Sequence, residues 1–144
     1  MRERSFEFRD LIGVLQNEHR ELDQHLKEID EALEKGDNRK AGKILLEIDR
    51  LFRQHTIDEE SRVLKMLIDA YGREGSHDDI RTMQEHQAIF SKIEELAGMT
   101  NLSTNERASK KAELDKLLRQ HCDTEEKNIF PKALHSFKDL EEVT

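Results

Sequence analysis

Apolar residues in this chain are spaced rather than contiguous, and the spacing is helical. From Phe8 to Lys35, Leu11, Leu15, Leu22, Leu26, Ile29 and Leu33 recur at steps of three, four and seven, which places them on one stripe of an amphipathic helix. Gly36 is positioned to end it. Asp37 or Asn38 can cap a second helix that carries Ile44, Ile48, Leu51, Phe52, Val63, Met66 and Leu67 before Tyr71-Gly72 stops it. Gly72 to Ser76 reads as a mid-chain turn. Ser76, with Asp78 and Asp79 behind it, starts a third helix whose inward stripe is Met83, Phe90, Ile93 and Ala97, closed by Gly98. Ser103-Thr104-Asn105-Glu106 has the form of a capping box for a fourth helix, where Leu114, Leu117, Leu118 and Ile129 recur. Pro131 is expected to end or kink that helix, with room for a short terminal helix from Lys132 to Leu140. Strand signals are almost absent and no linker is visible. The pattern predicts an all-α, up-down-up-down four-helix bundle spanning residues 1–144 as one domain.

Composition narrows the partners. Charged residues make up 39% of the chain, with one Pro and six Gly, as amphipathic helices require. A net charge of -8 argues against a nucleic-acid backbone or an anionic membrane, both of which need a basic surface. Met1-Arg2-Glu3-Arg4-Ser5 leads into no apolar signal segment, and no apolar run is long enough to cross a bilayer. A cytoplasmic protein is expected, and the lone Cys122, which cannot form an internal disulfide, fits a reducing compartment.

The informative residues are polar ones on the apolar stripes. His19 falls four after Leu15 and three before Leu22, and His86 falls three after Met83 and four before Phe90. His55 and Glu59 lie between Leu51 and Val63, while His121 and Glu125 lie between Leu118 and Ile129. All six face inward. They are also written twice: His19 and His86 stand 67 apart, His55 and His121 stand 66 apart, and so do Glu59 and Glu125. Each half therefore supplies a His and then His-x-x-x-Glu, whose two side chains leave one helix face one turn apart. A buried carboxylate is the anomaly, since taking its charge out of water costs several kcal/mol unless it is paired or binds a metal, on the order of 5 kcal/mol or more for an isolated ion. His25 sits at the stripe's edge, His77 is expected in solvent, and His135 has no counterpart in the repeat. Cys122 points about 100° from the ligand face and reads as a packing residue, with a redox thiol as the lesser reading. Glu60 and Glu126 are expected to face solvent, each within reach of a neighbouring imidazole as a hydrogen-bond acceptor.

Imidazole with carboxylate suits iron, zinc or manganese, not the thiolate-rich sites of copper storage or iron–sulfur clusters. Four His and two Glu are too many for one tetrahedral zinc. They suit two metals, each taking two imidazoles, with both carboxylates bridging a separation of about 3.5–4 Å. The competing account is a metal-free bundle whose His–Glu pairs are structural polar layers.

These residues resemble the hemerythrin-like, or HHE cation-binding, four-helix bundles. That family places a His on helix 1, His-x-x-x-Glu on helix 2, a His on helix 3 and a second His-x-x-x-Glu or His-x-x-x-x-Asp on helix 4. His19, His55, Glu59, His86, His121 and Glu125 match in order, and Glu125-Glu126-x-x-Ile129-Phe130-Pro131 resembles the family's helix 4 ending. The resemblance implies two iron ions in a non-haem, oxo- or hydroxo-bridged centre that binds or responds to dioxygen, peroxide or nitric oxide. Oxygen carriers of the family have His-x-x-x-His on helix 3, whereas Thr82 and Phe90 flank His86 at that spacing here. The chain is therefore similar to the four-His branch, whose members resemble iron-handling, oxidant-responding and damage-repair proteins. An alternative within the resemblance is a regulatory oxygen- or iron-sensing module that acts through a protein partner.

Overall fold

The computed structural model describes residues 2–98 and 104–143, except for the side chains of 2–8, 104 and 137–143. Six helices form four rods: α1 (Arg2–Glu34), α2 (Asn38–Asp58) running on into α3 (Lys65–Tyr71), α4 (His77–Ala97), and α5 (Thr104–Thr124) running on into α6 (Phe130–Val143). Within two rods the α-helical ladder widens into a π turn, at Glu59–Leu64 and at Glu125–Ile129. There Lys65 N–H donates to Glu60 and Phe130 N–H to Glu125, five residues back rather than four. The first and second rods pack as one hairpin and the third and fourth as another. The hairpins meet where α2 touches α4 and where α1 touches α5, giving the up-down-up-down order.

Short connections follow from local chemistry. After α1, Gly36 takes the left-handed conformation at φ 71°, its N–H reaching Leu33 O while Asp37 N–H reaches Ala32 O, the paired bonds of a Schellman ending. Asp37 then turns its side chain to Lys40 N–H at 3.1 Å and caps α2, so one residue closes one helix and opens the next. At the mid-chain turn, a Cβ on Gly75 would lie 2.7 Å from the Tyr71 carbonyl oxygen, so only glycine fits.

The buried apolar residues divide into two clusters. The larger one, around Leu22, Leu26, Ile48, Phe52, Ile89 and Leu118, fills the end nearer Gly36. The smaller, around Leu15, Val63, Leu64, Leu67, Ile129 and Phe130, fills the end nearer Gly72. Burying each such side chain contributes about 1.5–3 kcal/mol. A polar layer lies between them.

Several expectations need correction. α1 begins at Arg2, ahead of Phe8. On α4 the buried face is Asp79, Thr82, His86, Ile89 and Ile93; Ala97 is exposed, and Met83 and Phe90 are only partly buried. A seven-residue repeat keeps that face on the core, and Phe90, 100° further round than Ile89, lies at the seam with α2 instead. The fourth rod does not end at Pro131, which sits in the first turn of a 14-residue helix, where its missing N–H is tolerated. Lys111 is buried as well. It is 1% exposed, neutralised by Asp30 at 2.8 Å and Asp115 at 2.9 Å, and Asp79 is buried with Lys132 at 3.4 Å. The expected capping box at Ser103 lies outside the described residues.

Candidate metal centre

The polar layer between the two clusters is made by the six residues that the stripes single out. His19 is 6% exposed, His121 1%, and His55, Glu59, His86 and Glu125 are fully buried. Each comes from a helix whose neighbouring turns are anchored in the core: Leu15 and Leu22 flank His19, Phe52 and Val63 flank the second rod's pair, Ile89 follows His86, and Leu118 and Ile129 flank the fourth rod's pair. Both acids open a π turn. The first rod pair of these turns contains no proline and the second has Pro131 just beyond, so proline is not their common cause. What they share is a carboxylate that must leave the helix toward the bundle axis, a re-aiming for which a widened turn is well suited.

Glu59 reaches both sides of the layer, with Oε2 3.2 Å from His55 Nε2 and Oε1 2.9 Å from His86 Nε2. Glu125 does the same through a single oxygen, Oε1 lying 3.1 Å from His19 Nε2 and 3.0 Å from His121 Nε2. The outcome is two groups of four donors: His19, His55, Glu59 and Glu125, and then Glu59, His86, His121 and Glu125. In each, the donor atoms lie within 4.8 Å of one another. Both acids belong to both groups.

The spacing of these atoms fits a pair of cations. Donors held at about 2.1 Å on adjacent octahedral positions stand about 3.0 Å apart, which matches the separations of 2.9–3.3 Å here. Both Glu59 oxygens, Glu125 Oε2, His86 Nε2 and His121 Nε2 are buried without a hydrogen bond. Orphaned donors of this kind, two of them acids, are what a pair of cations would satisfy.

Protonation follows the same crowding. Burial pushes the Glu59 carboxyl above its ordinary value, and the charge of Glu125 adds to that. Burial also acts to raise Glu125, but the side chains of Glu59, His121, His19 and His55 crowded around it outweigh this and hold it well below the usual carboxylate range. Burial disfavours charge on the imidazoles, yet Glu125, Glu18 and Glu59 lift His55 well above its ordinary value, and Glu125 and Glu85 lift His121 to about 9. Burial pushes the Cys122 thiol up, away from the reactive thiolate.

An outer ring of acids holds the imidazoles. Glu18 lies 3.0 Å from His55 Nδ1, Glu60 3.2 Å from His86 Nδ1 and Glu85 3.0 Å from His121 Nδ1. Glu126 stands 3.9 Å from His19 Nδ1, beyond a hydrogen bond. Each acid supports the imidazole of the next rod, so the ring runs once around the bundle. Glu60 and Glu126 are expected from the sequence as acceptors, whereas Glu18 and Glu85 are not. Their signal is the repeated pair Glu18-His19 and Glu85-His86, which reads as an echo of the ligand rather than as a residue with its own task. Aromatic rings close the layer: Phe52 packs on His55, His86 and His121 at 5.6–6.2 Å, and Phe130 stacks on His19 at 5.5 Å. His25 is half-buried beside Glu28, and His77 and His135 are exposed, all outside the layer.

Among known proteins, the family description "Hemerythrin HHE cation binding domain" matches residues 10–133, a span that contains all six donors. Searches of curated proteins and of solved structures returned no match. Among the described residues, no helix is long and apolar enough to cross a membrane.

Proposed function

We propose, from the premise that this chain belongs to the hemerythrin HHE cation-binding family, that it is a non-haem di-iron protein which binds or responds to a small oxidant such as dioxygen, peroxide or nitric oxide. The observation that carries this reading is the pair of four-donor groups sharing both carboxylates. His19 and His55 would be the terminal ligands of one iron, His86 and His121 those of the other, and Glu59 and Glu125 the bridges. Iron, when bound, supplies the redox chemistry.

The chain's own residues do the rest. Glu18, Glu60 and Glu85 accept from the outer imidazole nitrogens, which fixes each tautomer and turns Nε2 inward as the donor. Phe52 and Phe130 keep water off the layer. Thr82, one turn before His86 where a fifth imidazole would stand, donates its hydroxyl proton to Asp78 O at 2.9 Å. With two imidazoles and two shared acids each, octahedral cations would have positions left for an exogenous ligand. Iron analysis and absorption spectra after iron-replete expression test the reading, with about two irons per chain and near-ultraviolet charge-transfer bands expected. Less than one iron per chain, with no such bands, would sink it.

A further inference from the structure

The two hairpins meet along two seams, α2 with α4 and α1 with α5, and the sequence repeat makes the seams counterparts. In the first, Phe90 occupies the gap. Its ring lies 4.9 Å from that of Phe52, and the Arg53 guanidinium covers it at 5.1 Å. At the equivalent places in the second seam stand Asp23 for Phe90, Leu118 for Phe52 and Arg119 for Arg53. There the arginine meets a carboxylate, Nε to Oδ1 at 3.0 Å, with both side chains nearly half exposed. A short acid and a leucine fill less space than two phenyl rings. A cavity of about 420 Å³ opens at this seam, and its walls include His19, Asp23, Arg119, Cys122, Asp123 and Glu126.

His19, which lines this cavity, is also the weak point of the acid ring. Three outer imidazole nitrogens have acceptors at 3.0–3.2 Å, but His19 Nδ1, on a residue 94% buried by its 6% exposure, has no hydrogen bond. Its nearest acid, Glu126, is 40% exposed in its side chain and 3.9 Å away. The cavity is thus lined by a candidate ligand whose support is incomplete.

We propose that the α1–α5 seam is the entry port of the centre, through which hydrated divalent cations and oxidants of a few atoms pass beside His19; this rests on the di-metal reading above. A hexahydrated cation displaces about 200 Å³ at roughly 30 Å³ per water, so the cavity can hold one. Carboxylates line the way, Asp23 paired with Arg119 and Lys27, Asp123 with Lys127, and Glu126 beside His19. The opposite seam, sealed by Phe52, Phe90 and Arg53, is closed to such traffic.

The test copies the seal of one seam into the other. Metal-free Asp23→Phe and wild-type protein are mixed anaerobically with ferrous ion, and uptake is followed by quenching with a chelator at timed intervals. Filling the port should slow uptake about tenfold, as a gating step would, while final loading matches wild type. Cys122→Met, which fills the same cavity from α5, should also slow uptake, and it serves if Asp23→Phe does not fold. Glu31→Phe, an equal bulk on the exposed face of α1, should load at the wild-type rate. Unchanged rates in both filled variants, with full final loading, would overturn the port alone. Failure of wild-type protein to take up ferrous ion at all would overturn the di-metal reading, and the port with it.

Discussion

The first hairpin, residues 2–71, and the second, 77–143, carry the same donors in the same order, and their outer acids also correspond, Glu18 to Glu85 and Glu60 to Glu126. Around those residues the correspondence dissolves. Phe52 answers to Leu118, Leu64 to Phe130 and Phe90 to Asp23, so each hairpin fills with a ring what the other fills with a smaller side chain. A donor atom must be of one kind at one place, whereas volume can be supplied from either side of a packed core. The repeat is strict where chemistry sets it and loose where only packing does. The two seams differ for the same reason.

The strongest way to break this comparison is to remove the acids that both halves share. Wild-type protein loaded with ferrous ion at about 1,000 times its dissociation constant gains about 4 kcal/mol over the metal-free form, which raises the melting temperature by about 10 °C. Glu59→Gln combined with Glu125→Gln should abolish that difference, and scanning calorimetry with and without metal checks it. A metal-dependent shift retained in full would show that the bridges are not Glu59 and Glu125.

The outer acids give the next test, since of the four only Glu126 stands beyond hydrogen-bond reach of its imidazole. Glu18→Gln, Glu60→Gln and Glu85→Gln should each weaken cation affinity about 10–100-fold, the usual cost of removing a ligand's hydrogen-bond partner. Glu126→Gln should cost less than about threefold, because its carboxylate is too far from His19 to fix that ring. Competition with a chelator of known affinity ranks the four. Equal losses at all four positions would mean that the loaded protein closes the gap at His19.

A further effect depends on acidity. His121 rises from 6.5 to about 9 in the folded, metal-free chain, so it contributes stability below pH 6.5 that is lost as the pH climbs through about 9. A cation needs the neutral imidazole. Uptake at pH 7 should therefore release protons from His121 and His55, and affinity should rise up to tenfold per pH unit for each imidazole that must give up its proton. Melting curves at pH 6.5 and 9 should show the metal-free form losing stability over the interval while the loaded form gains relative to it. Parallel slopes would contradict the assignment of His121 as a ligand.

Much of the bundle was legible because four helices with regular stripes leave few arrangements, and because a polar residue on such a stripe demands an explanation. His19, His55, Glu59, His86, His121 and Glu125 all lie where their stripes point. Thr82 and Asp79 were not legible as buried residues, since short polar side chains on α4 follow the same sevenfold step as Ile89 and Ile93 without adding to an apolar count. Lys111 was hidden in the same way, because its burial depends on Asp30 from another helix. Pro131 misled because its meaning depends on the turn before it, and no residue type marks a π turn.

Those two widened turns set a condition on anyone who transplants the centre. A regular scaffold with the six donors at their sequence spacings would present each acid on an unbroken α-helical path, without the surplus residue that Glu59–Leu64 and Glu125–Ile129 insert. Forcing either turn into regular α-helix while keeping that residue would rotate all that follows by about 100°, swinging Leu67 or Ala133 out of its cluster. Reach toward the axis and the alignment of the rod's far end are thus joined in one irregularity, and an idealised copy would have to carry both defects to keep either.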